Sequence, residues 1–151
     1  MKKFQDKVVW ITGSSSGIGE ATAYEFAKEG AKLILTALEA DLLQQVCKKC
    51  EELGSPKAEA LPFDLSQKDQ VAELAEKAWN VFGYIDVFYN NAGISQRSKT
   101  IDTEMRVINK VMDINYFAPV IMTKVILPKM VERGGGQLVV TTSINGRFGF
   151  P

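Results

Sequence analysis

The chain has 151 residues, 46% of them hydrophobic, a composition typical of one globular domain with its own core. Its 18 basic and 18 acidic residues give a formal net charge of zero, which argues against general binding to nucleic acid or to an anionic membrane surface. The absence of histidine excludes Ser-His-Asp triads, Cys-His pairs and most catalytic zinc sites.

Strand and helix patterns alternate along the whole chain. Strands are predicted at residues 7–12, 31–37, 58–63, 84–90 and 137–142, and helices at 17–29, 39–53, 71–82 and 103–132, the last with a break near Pro119. Near-continuous apolar strands between helices predict an α/β domain covering residues 1–151, a Rossmann-type doubly wound parallel sheet with strand order 3-2-1-4-5. A ligand is then expected beyond the carboxyl ends of the strands, at the switch point between the first and fourth.

The sequence also suggests a cellular setting. The charged start MKKFQDK is followed by no signal-peptide pattern, and no apolar run approaches the ~18–20 residues that span a bilayer, so we expect a cytoplasmic protein without a membrane span. Cys47 and Cys50 form a C-x-x-C pair without further cysteines, which favours packing in the second helix over redox chemistry or metal binding.

The stretch ITGSSSGIG places glycines and serines between the first strand and the first helix. A helix N-terminus has unpaired N–H groups and a positive dipole end, which together suit a pyrophosphate. Gly13 would permit the sharp turn, Gly17 would let a phosphate approach the backbone, and Gly19 would let the helix pack on the sheet, while Ser14, Ser15 and Ser16 add hydroxyl donors. A flexible strand–helix turn without a ligand is the alternative for a lone glycine cluster.

The spacing TG-x-x-x-GIG resembles that of the short-chain dehydrogenase/reductase family. Further stretches agree with the family's order: FDL at 63–65, NNAG at 90–93, Asn115 within MDINYF, and TTSINGRFGFP at 141–151. The resemblance covers the whole chain and implies a nicotinamide-dependent oxidoreductase that transfers a hydride between an alcohol and a ketone or aldehyde.

The resemblance also implies a role for each matching residue. The nucleotide would contact Gly13, Ser15, Ser16, Gly17, Ile18 and Gly19 at the pyrophosphate, Asp64 and Leu65 at the adenine, and Asn90, Asn91, Ala92 and Gly93 below the ribose. Asn115 would hold a water in a proton relay, and Ser143 would hydrogen-bond the substrate. Local alternatives exist, because Asp64 could cap a helix and NNAG could be a simple turn.

The sequence departs from the family in lacking its Tyr-x-x-x-Lys pair after Ser143, since it stops at Pro151, short of the expected tyrosine. We expect it to belong to a longer protein and to be inactive if the chain ends there. Tyr24 and Lys28 have the same spacing, but they lie on the first helix, so Tyr24 is expected to pack and Lys28 to be a surface charge. A non-catalytic nucleotide-binding fragment or regulator, and an interaction module using residues 103–132, are the alternatives.

The choice of coenzyme depends on the end of the second strand. An acidic residue there pairs with the ribose hydroxyls of NAD, whereas arginine favours the 2′-phosphate of NADP. Ala37 stands at the usual acidic position, Leu38 stands where arginine is common, and Glu39 is expected to cap the next helix. NADP(H) is therefore slightly favoured over NAD(H). By resemblance, the complete protein would act on a small alcohol or carbonyl compound and form a homodimer or homotetramer through the helices at 103–132.

Overall fold

The computed structural model of the protein describes residues 2–148 and contains strands and helices in strict alternation up to the fourth strand. In chain order they are β1 (Val8–Thr12), α1 (Gly17–Lys28), β2 (Lys32–Thr36), α2 (Ala40–Leu53), β3 (Ala58–Ala60), α3 (Val71–Phe82), β4 (Val87–Asn90), α4 (Met105–Met112), α5 (Ala118–Glu132) and β5 (Gln137–Val140). The strands form one parallel sheet in the order β3-β2-β1-β4-β5. The predicted doubly wound α/β fold and its strand order are therefore confirmed.

All five strands are shorter than their predicted ranges, and the third and fourth differ most, by three residues each. The third strand ends at Ala60, two residues before Pro62, which lacks a backbone donor, although Leu61 N and Phe63 N still donate to Leu35 O (2.8 Å) and Ala37 O (2.9 Å). The fourth begins at Val87 rather than at residue 84. The backbone therefore follows β2 as far as Phe63, and this brings the chain after β3 to the ligand-binding edge of the sheet.

Alternating side chains of the strands form two separate cores, one on each face of the sheet. On one face Trp10 and Phe88 stack with ring centroids 4.3 Å apart, beneath α3 and α5. The Trp10 indole N–H donates to Thr36 Oγ1 (3.0 Å), so this buried polar group is satisfied. On the other face Val9 and Leu33 pack beneath α1 and α2. Both faces of the central strands are covered, which explains their continuous apolar sequences.

The predicted helix at 103–132 is irregular close to Pro119, where a break was expected. The chain remains helical from Met105 to Glu132, and the irregularity is a π-helical turn at Asp113–Phe117, ahead of Pro119. A proline has no N–H to donate to the preceding turn, and a wider π turn accommodates that loss. A second proline, Pro128, lies inside α5 and was not singled out by the pattern.

The helix Met105–Glu132 has 28 residues and a mean hydropathy of 1.2 in its most apolar window, enough by length and composition alone to cross a membrane. Such a helix is weak support for a span, because core helices of globular proteins have the same composition, although only 22% of this window is buried. Its buried residues Met122, Ile126 and Met130 belong to the sheet core. The absence of a membrane span thus remains a prediction.

Strand β5 lies at the edge of the sheet in the described part of the chain. Leu138, Val139 and Val140 are all exposed.

Candidate functional site

A cleft of about 430 Å³ opens at the carboxyl ends of the strands, at the predicted switch point. It is lined by Gly13, Ser15, Ser16, Ile18, Ala37, Leu38, Glu39, Phe63, Asp64, Leu65, Asn91, Ala92, Gly93, Ile94, Lys110, Ile114 and Thr141. Nine of the twelve residues predicted to contact the nucleotide are in this lining, and Gly17, Gly19 and Asn90 are not. The predicted catalytic residues Asn115 and Ser143 also lie outside the lining. The structure therefore brings the predicted loops together, while the residue roles stay predictions.

The glycine-rich loop has the geometry of an anion cradle. Gly13 has φ +66°, and a Cβ there would lie 2.7 Å from Ala92 Cα, so the position requires glycine for both conformation and space. Gly17 has φ +61° with open space where a Cβ would stand. Ser16 occupies the N-cap position of α1, but its side chain makes no capping hydrogen bond. The first-turn N–H groups of α1 therefore have no side-chain cap and suit an anion.

The two serines before Ser16 make hydrogen bonds within the protein, and of the two only Ser15 lines the cleft. Ser14 is buried, and its hydroxyl lies 3.3 Å from both Ile11 O and Thr36 O. The expectation that Ser14 offers a donor to the ligand was therefore wrong, because internal carbonyls use that hydroxyl. Ser15 donates to Glu39 Oε2 at 3.0 Å.

The expectation that the Glu39 side chain caps α2 was also wrong. Glu39 occupies the N-cap position of α2, but its side chain makes no capping hydrogen bond. The carboxylate instead accepts from Ser15 across the cleft wall. The sequence had suggested a cap, and the contact depends on the pairing of β1 with β2, which the local pattern does not contain.

The NNAG segment ties β4 to the glycine-rich loop. Asn91 Nδ2 donates to Thr12 O (3.1 Å) and Gly13 O (3.2 Å), while Thr12 Oγ1 accepts from Asn91 N and Ala92 N, both at 3.1 Å. Asn90 is buried, and within residues 2–148 its side-chain amide atoms, Nδ2 and Oδ1, have no hydrogen-bond partner. Asn91, Ala92 and the loop thus form one rigid floor, whereas Asn90 lies under it.

Thr141 and Tyr89 extend this network, and the sequence analysis missed both. Thr141 Oγ1 lies 2.8 Å from Tyr89 OH and donates to Asn91 Oδ1 at 3.0 Å. Both Nδ2 and Oδ1 of Asn91 therefore make hydrogen bonds, which fixes the orientation of its side-chain amide. A polar residue directly after an apolar strand was the available signal for Thr141.

Asp64 combines a turn with a place in the cleft. Its Oδ1 accepts from Ser66 N at 2.9 Å, which forms a local turn, whereas the N-cap positions of the helical segments that follow are Gln67 and Gln70, so Asp64 is not the helix cap considered as an alternative. This backbone hydrogen bond is the largest cause that lowers the pKa of Asp64, with a smaller contribution from the positive charge of Lys110. A carboxylate held ionised can accept a hydrogen bond from an amino group.

The π turn of the long helix positions Asn115. Its Nδ2 donates to Ile94 O (2.7 Å) and its Oδ1 accepts from Ile94 N (2.9 Å), so the amide clamps the backbone of Ile94, through both adjoining peptide units, in the loop after β4. A Cβ at Gly93 would stand 3.4 Å from Asn115 Oδ1, which shows how closely this loop approaches the turn. π turns often occur at functional sites because they re-aim one side chain.

Ser143 lies just after β5 and is exposed, at the start of a 3₁₀ turn at Ile144–Gly146 in which Gly146 N donates to Ser143 O (3.0 Å). The last residues of the predicted TTSINGRFGFP stretch, 149–151, lie outside the described residues. The chemistry assigned to Ser143 remains an expectation.

The remaining sequence candidates pack as expected. Tyr24 OH donates to Glu20 Oε1 at 2.7 Å. Burial, which is the larger cause, and this hydrogen bond raise the pKa of Tyr24 to about 12. Lys28 pairs with Glu25 on the surface. Cys47 and Cys50 are free and buried, and burial raises the pKa values of their thiols to about 11 and about 12. In the described part of the chain, no group of His, Cys, Asp and Glu side chains has the arrangement of a metal site.

Comparison with known proteins agrees with this geometry. The family model described as short chain dehydrogenase matches residues 7–151. Dehydrogenase/reductase SDR family member 7 of Homo sapiens is 40% identical over 149 residues, and member 7B of Danio rerio is 42% identical over 155. These alignments cover 97% of this chain but 44% and 49% of the relatives, so the chain spans about half their length.

Solved structures give the same result. A short-chain type dehydrogenase/reductase from Mycobacterium marinum superposes with a TM-score of 0.88 at 29% identity, over 97% of this chain and 60% of that one. A short-chain dehydrogenase from Streptomyces avermitilis superposes with a TM-score of 0.88 at 30% identity, over 99% and 53%. The chain therefore has the α/β nucleotide-binding fold that is found in one class of oxidoreductases. It belongs to the short-chain dehydrogenase/reductase family, which implies an NAD(P) cofactor.

Proposed function

We propose that the complete protein is an NAD(P)-dependent oxidoreductase that interconverts an alcohol and a ketone or aldehyde, and that residues 1–151 supply its coenzyme-binding half. The observation that supports this most directly is the cleft, where the uncapped N-terminus of α1 and the loops after β1, β2, β3 and β4 line one cavity. The bound coenzyme would supply the hydride chemistry.

The residues present fit a dinucleotide. The N-terminus of α1 and the open backbone at Gly17 would hold the pyrophosphate, and Asp64 would accept from the adenine amino group. Asn91 would keep the floor fixed through its bonds to Thr12 and Gly13. Asn115, hydrogen-bonded to the backbone of Ile94 in the cleft lining, would hold the water of a proton relay. No residue after Ser143 in this sequence offers the tyrosine and lysine that proton transfer needs.

The test is coenzyme binding measured by the fluorescence of the reduced nicotinamide. Gly17→Ala should weaken binding at least tenfold, because it adds a methyl group where the pyrophosphate approaches. Gly83→Ala is the matched control: Gly83 also has positive φ (+78°) and open surroundings, but it lies outside the cleft. Both variants carry a similar strain of about 1 kcal/mol. Equal affinities for the two variants would contradict the assignment.

The alternative function is nucleotide binding without catalysis. The two are separated by assaying a longer polypeptide that includes whatever follows residue 151. Hydride transfer to a panel of ketones by that polypeptide, and its loss in Ser143→Ala, would support the enzyme. Coenzyme binding without turnover on any alcohol or carbonyl compound would favour a binding regulator.

The outer face of the long helix supports a proposal for the assembly of the complete protein. The long helix exposes apolar side chains on its outer face: Met105, Met112, Tyr116, Phe117, Val120, Leu127 and Val131. We propose that this face forms a homodimer or homotetramer contact in the complete, cytoplasmic protein. Sedimentation equilibrium of the complete protein, compared with its Val131→Asp variant, tests the contact, because a charge buried in an interface weakens association. An unchanged mass would exclude this face.

A further inference from the structure

The carboxyl ends of β4 and β5 are joined by side chains as well as by the backbone of the sheet. The last backbone bond of this pairing runs from Thr141 N to Asn90 O at 2.9 Å. Beside it, Thr141 Oγ1 donates to Asn91 Oδ1 at 3.0 Å and lies 2.8 Å from Tyr89 OH. Among the described residues β4 is the one neighbour of β5, so these side chains hold the end of a strand that the sheet supports from one side.

The hydrogen bonds of these three side chains run in one direction. Asn91 Nδ2 donates to Thr12 O and Gly13 O, so the oxygen of the amide is the atom that faces Thr141. An ordinary amide oxygen has no proton, and the single hydroxyl proton of Thr141 is therefore used for Asn91 Oδ1. The Thr141 oxygen then accepts from Tyr89 OH. Hydrogen bonds linked in this way polarise and strengthen one another.

The two ends of this chain of hydrogen bonds lie at different parts of the proposed site. At one end, Asn91 is bonded to the glycine-rich loop, which would hold the coenzyme. At the other end, Thr141 precedes Ser143 by two residues, and Ser143 O accepts from Gly146 N at 3.0 Å in the 3₁₀ turn. Only Thr142 separates the last backbone bond of β5 from that turn, so the position of Ser143 follows the position of Thr141.

We propose that Thr141 is a positioning residue that couples the coenzyme-binding loop to Ser143, through the hydrogen bonds from Tyr89 to Asn91. The inference rests on the proposed function, in which the loop holds the coenzyme and Ser143 hydrogen-bonds the substrate. The coupling sets the distance between the two reactants. An error of about 1 Å in such a distance lowers a reaction rate by about 100-fold.

The first experiment measures reduction of a panel of ketones by the complete protein and its variants. Thr141→Val keeps the shape of the side chain and removes the hydroxyl, whereas Thr141→Ser keeps the hydroxyl. Thr103→Val is the matched control, because Thr103 Oγ1 also makes two contacts, with Lys99 O at 2.9 Å and Ser98 Oγ at 2.6 Å, but lies outside the cleft lining.

The expected result separates positioning from binding. Thr141→Val should lower kcat by about 10- to 100-fold and change the Kd of the reduced coenzyme less than about threefold. Thr141→Ser should restore kcat, and Thr103→Val should match the wild type. An unchanged kcat in Thr141→Val would overturn the inference. So would a loss of coenzyme affinity that accounts for the whole effect, because the hydroxyl would then act by binding the coenzyme.

The second experiment needs no turnover and measures amide hydrogen exchange with and without the reduced coenzyme. In the wild type the coenzyme should slow exchange at residues 17–19 and also at Thr142 and Ser143. In Thr141→Val the slowing should persist at residues 17–19 and disappear at Thr142 and Ser143, whereas a loss of global stability would accelerate exchange throughout the core.

The outcomes distinguish this inference from the proposed function. Slowing at Thr142 and Ser143 that persists in Thr141→Val, or that is absent from the wild type, would overturn the coupling while leaving coenzyme binding intact. Coenzyme binding without turnover would contradict the proposed enzyme, and the exchange comparison would then decide the coupling by itself. A wild type that binds neither NADH nor NADPH would overturn both.

Discussion

Gly19 provides a direct test of how the glycine-rich loop is packed. A Cβ at this position would overlap Gly13 O and stand 2.6 Å from Asn91 Nδ2 and 2.9 Å from Gly13 C. These neighbours cannot rotate away, because Gly13 is backbone and the Asn91 amide is bonded to Gly13 O at 3.2 Å. Gly19→Ala must therefore displace α1 from the loop.

The magnitude follows from three contributions. Overpacking costs about 1–3 kcal/mol, and loss of the Asn91 hydrogen bond costs about 1 kcal/mol. Alanine inside a helix recovers about 0.5–1 kcal/mol relative to glycine. We expect Gly19→Ala to lower the free energy of unfolding by about 2 kcal/mol.

The assay is urea unfolding followed by tryptophan fluorescence, since buried Trp10 is stacked on Phe88. Gly146→Ala is the control, because a Cβ there has open space and its φ is not in the left-handed region. It should remain within about 0.5 kcal/mol of the wild type. A Gly19→Ala variant as stable as Gly146→Ala would refute the argument that close approach, rather than helix propensity, requires glycine.

Three further predictions concern single side chains. Asn115→Ala removes both hydrogen bonds to the Ile94 backbone, so amide exchange at Ile94 should accelerate about tenfold or more while the core amides stay protected; unchanged exchange would contradict the clamp. Asp64 has a lowered pKa in the folded state, so its stabilisation is present above its unfolded pKa near 4 and is lost as the pH falls through the folded value; Asp64→Asn should flatten the acid limb of the stability curve, and an unaltered limb would contradict the assignment. Tyr24 has its pKa raised to about 12, so its contribution is complete below pH ~10 and lost as the pH rises towards 12; Tyr24→Phe should reduce alkaline destabilisation, measured as the midpoint of unfolding against pH.

The sequence predicted the parts of the structure that local pattern determines. Strand order and helix positions followed from alternating apolar runs, and the helix predicted at 71–82 has the bounds of α3, Val71–Phe82. The third strand was overextended because apolar character continues past Pro62, where the ladder ends. The predicted break near Pro119 is a π turn at Asp113–Phe117, whose type and position the pattern did not define. Both details concern backbone hydrogen bonding, which hydrophobic periodicity does not report.

The contacts of the predicted site residues could not be derived from local pattern, because they depend on pairing between strands that are distant in the sequence. Thr12 and Asn91 meet only when β1 pairs with β4, and Thr141 reaches Asn91 only when β5 is added. The sequence was compatible with a Glu39 side chain that caps α2. Its carboxylate accepts a hydrogen bond from Ser15 instead, because the pairing of β1 with β2 brings the two residues together.

The same dependence explains why the loop forms a site at all. Thr12 is 1% exposed, and its hydroxyl satisfies two backbone N–H groups of the following segment, Asn91 N and Ala92 N. Burying these donors without the hydroxyl would cost about 1–3 kcal/mol each. The left-handed conformation of Gly13 is thus stabilised by residues about 80 positions away in the sequence. The anion cradle therefore exists only in the assembled sheet. Nucleotide binding by this chain would therefore report the docking of β4 beside β1, and not the glycine-rich stretch alone.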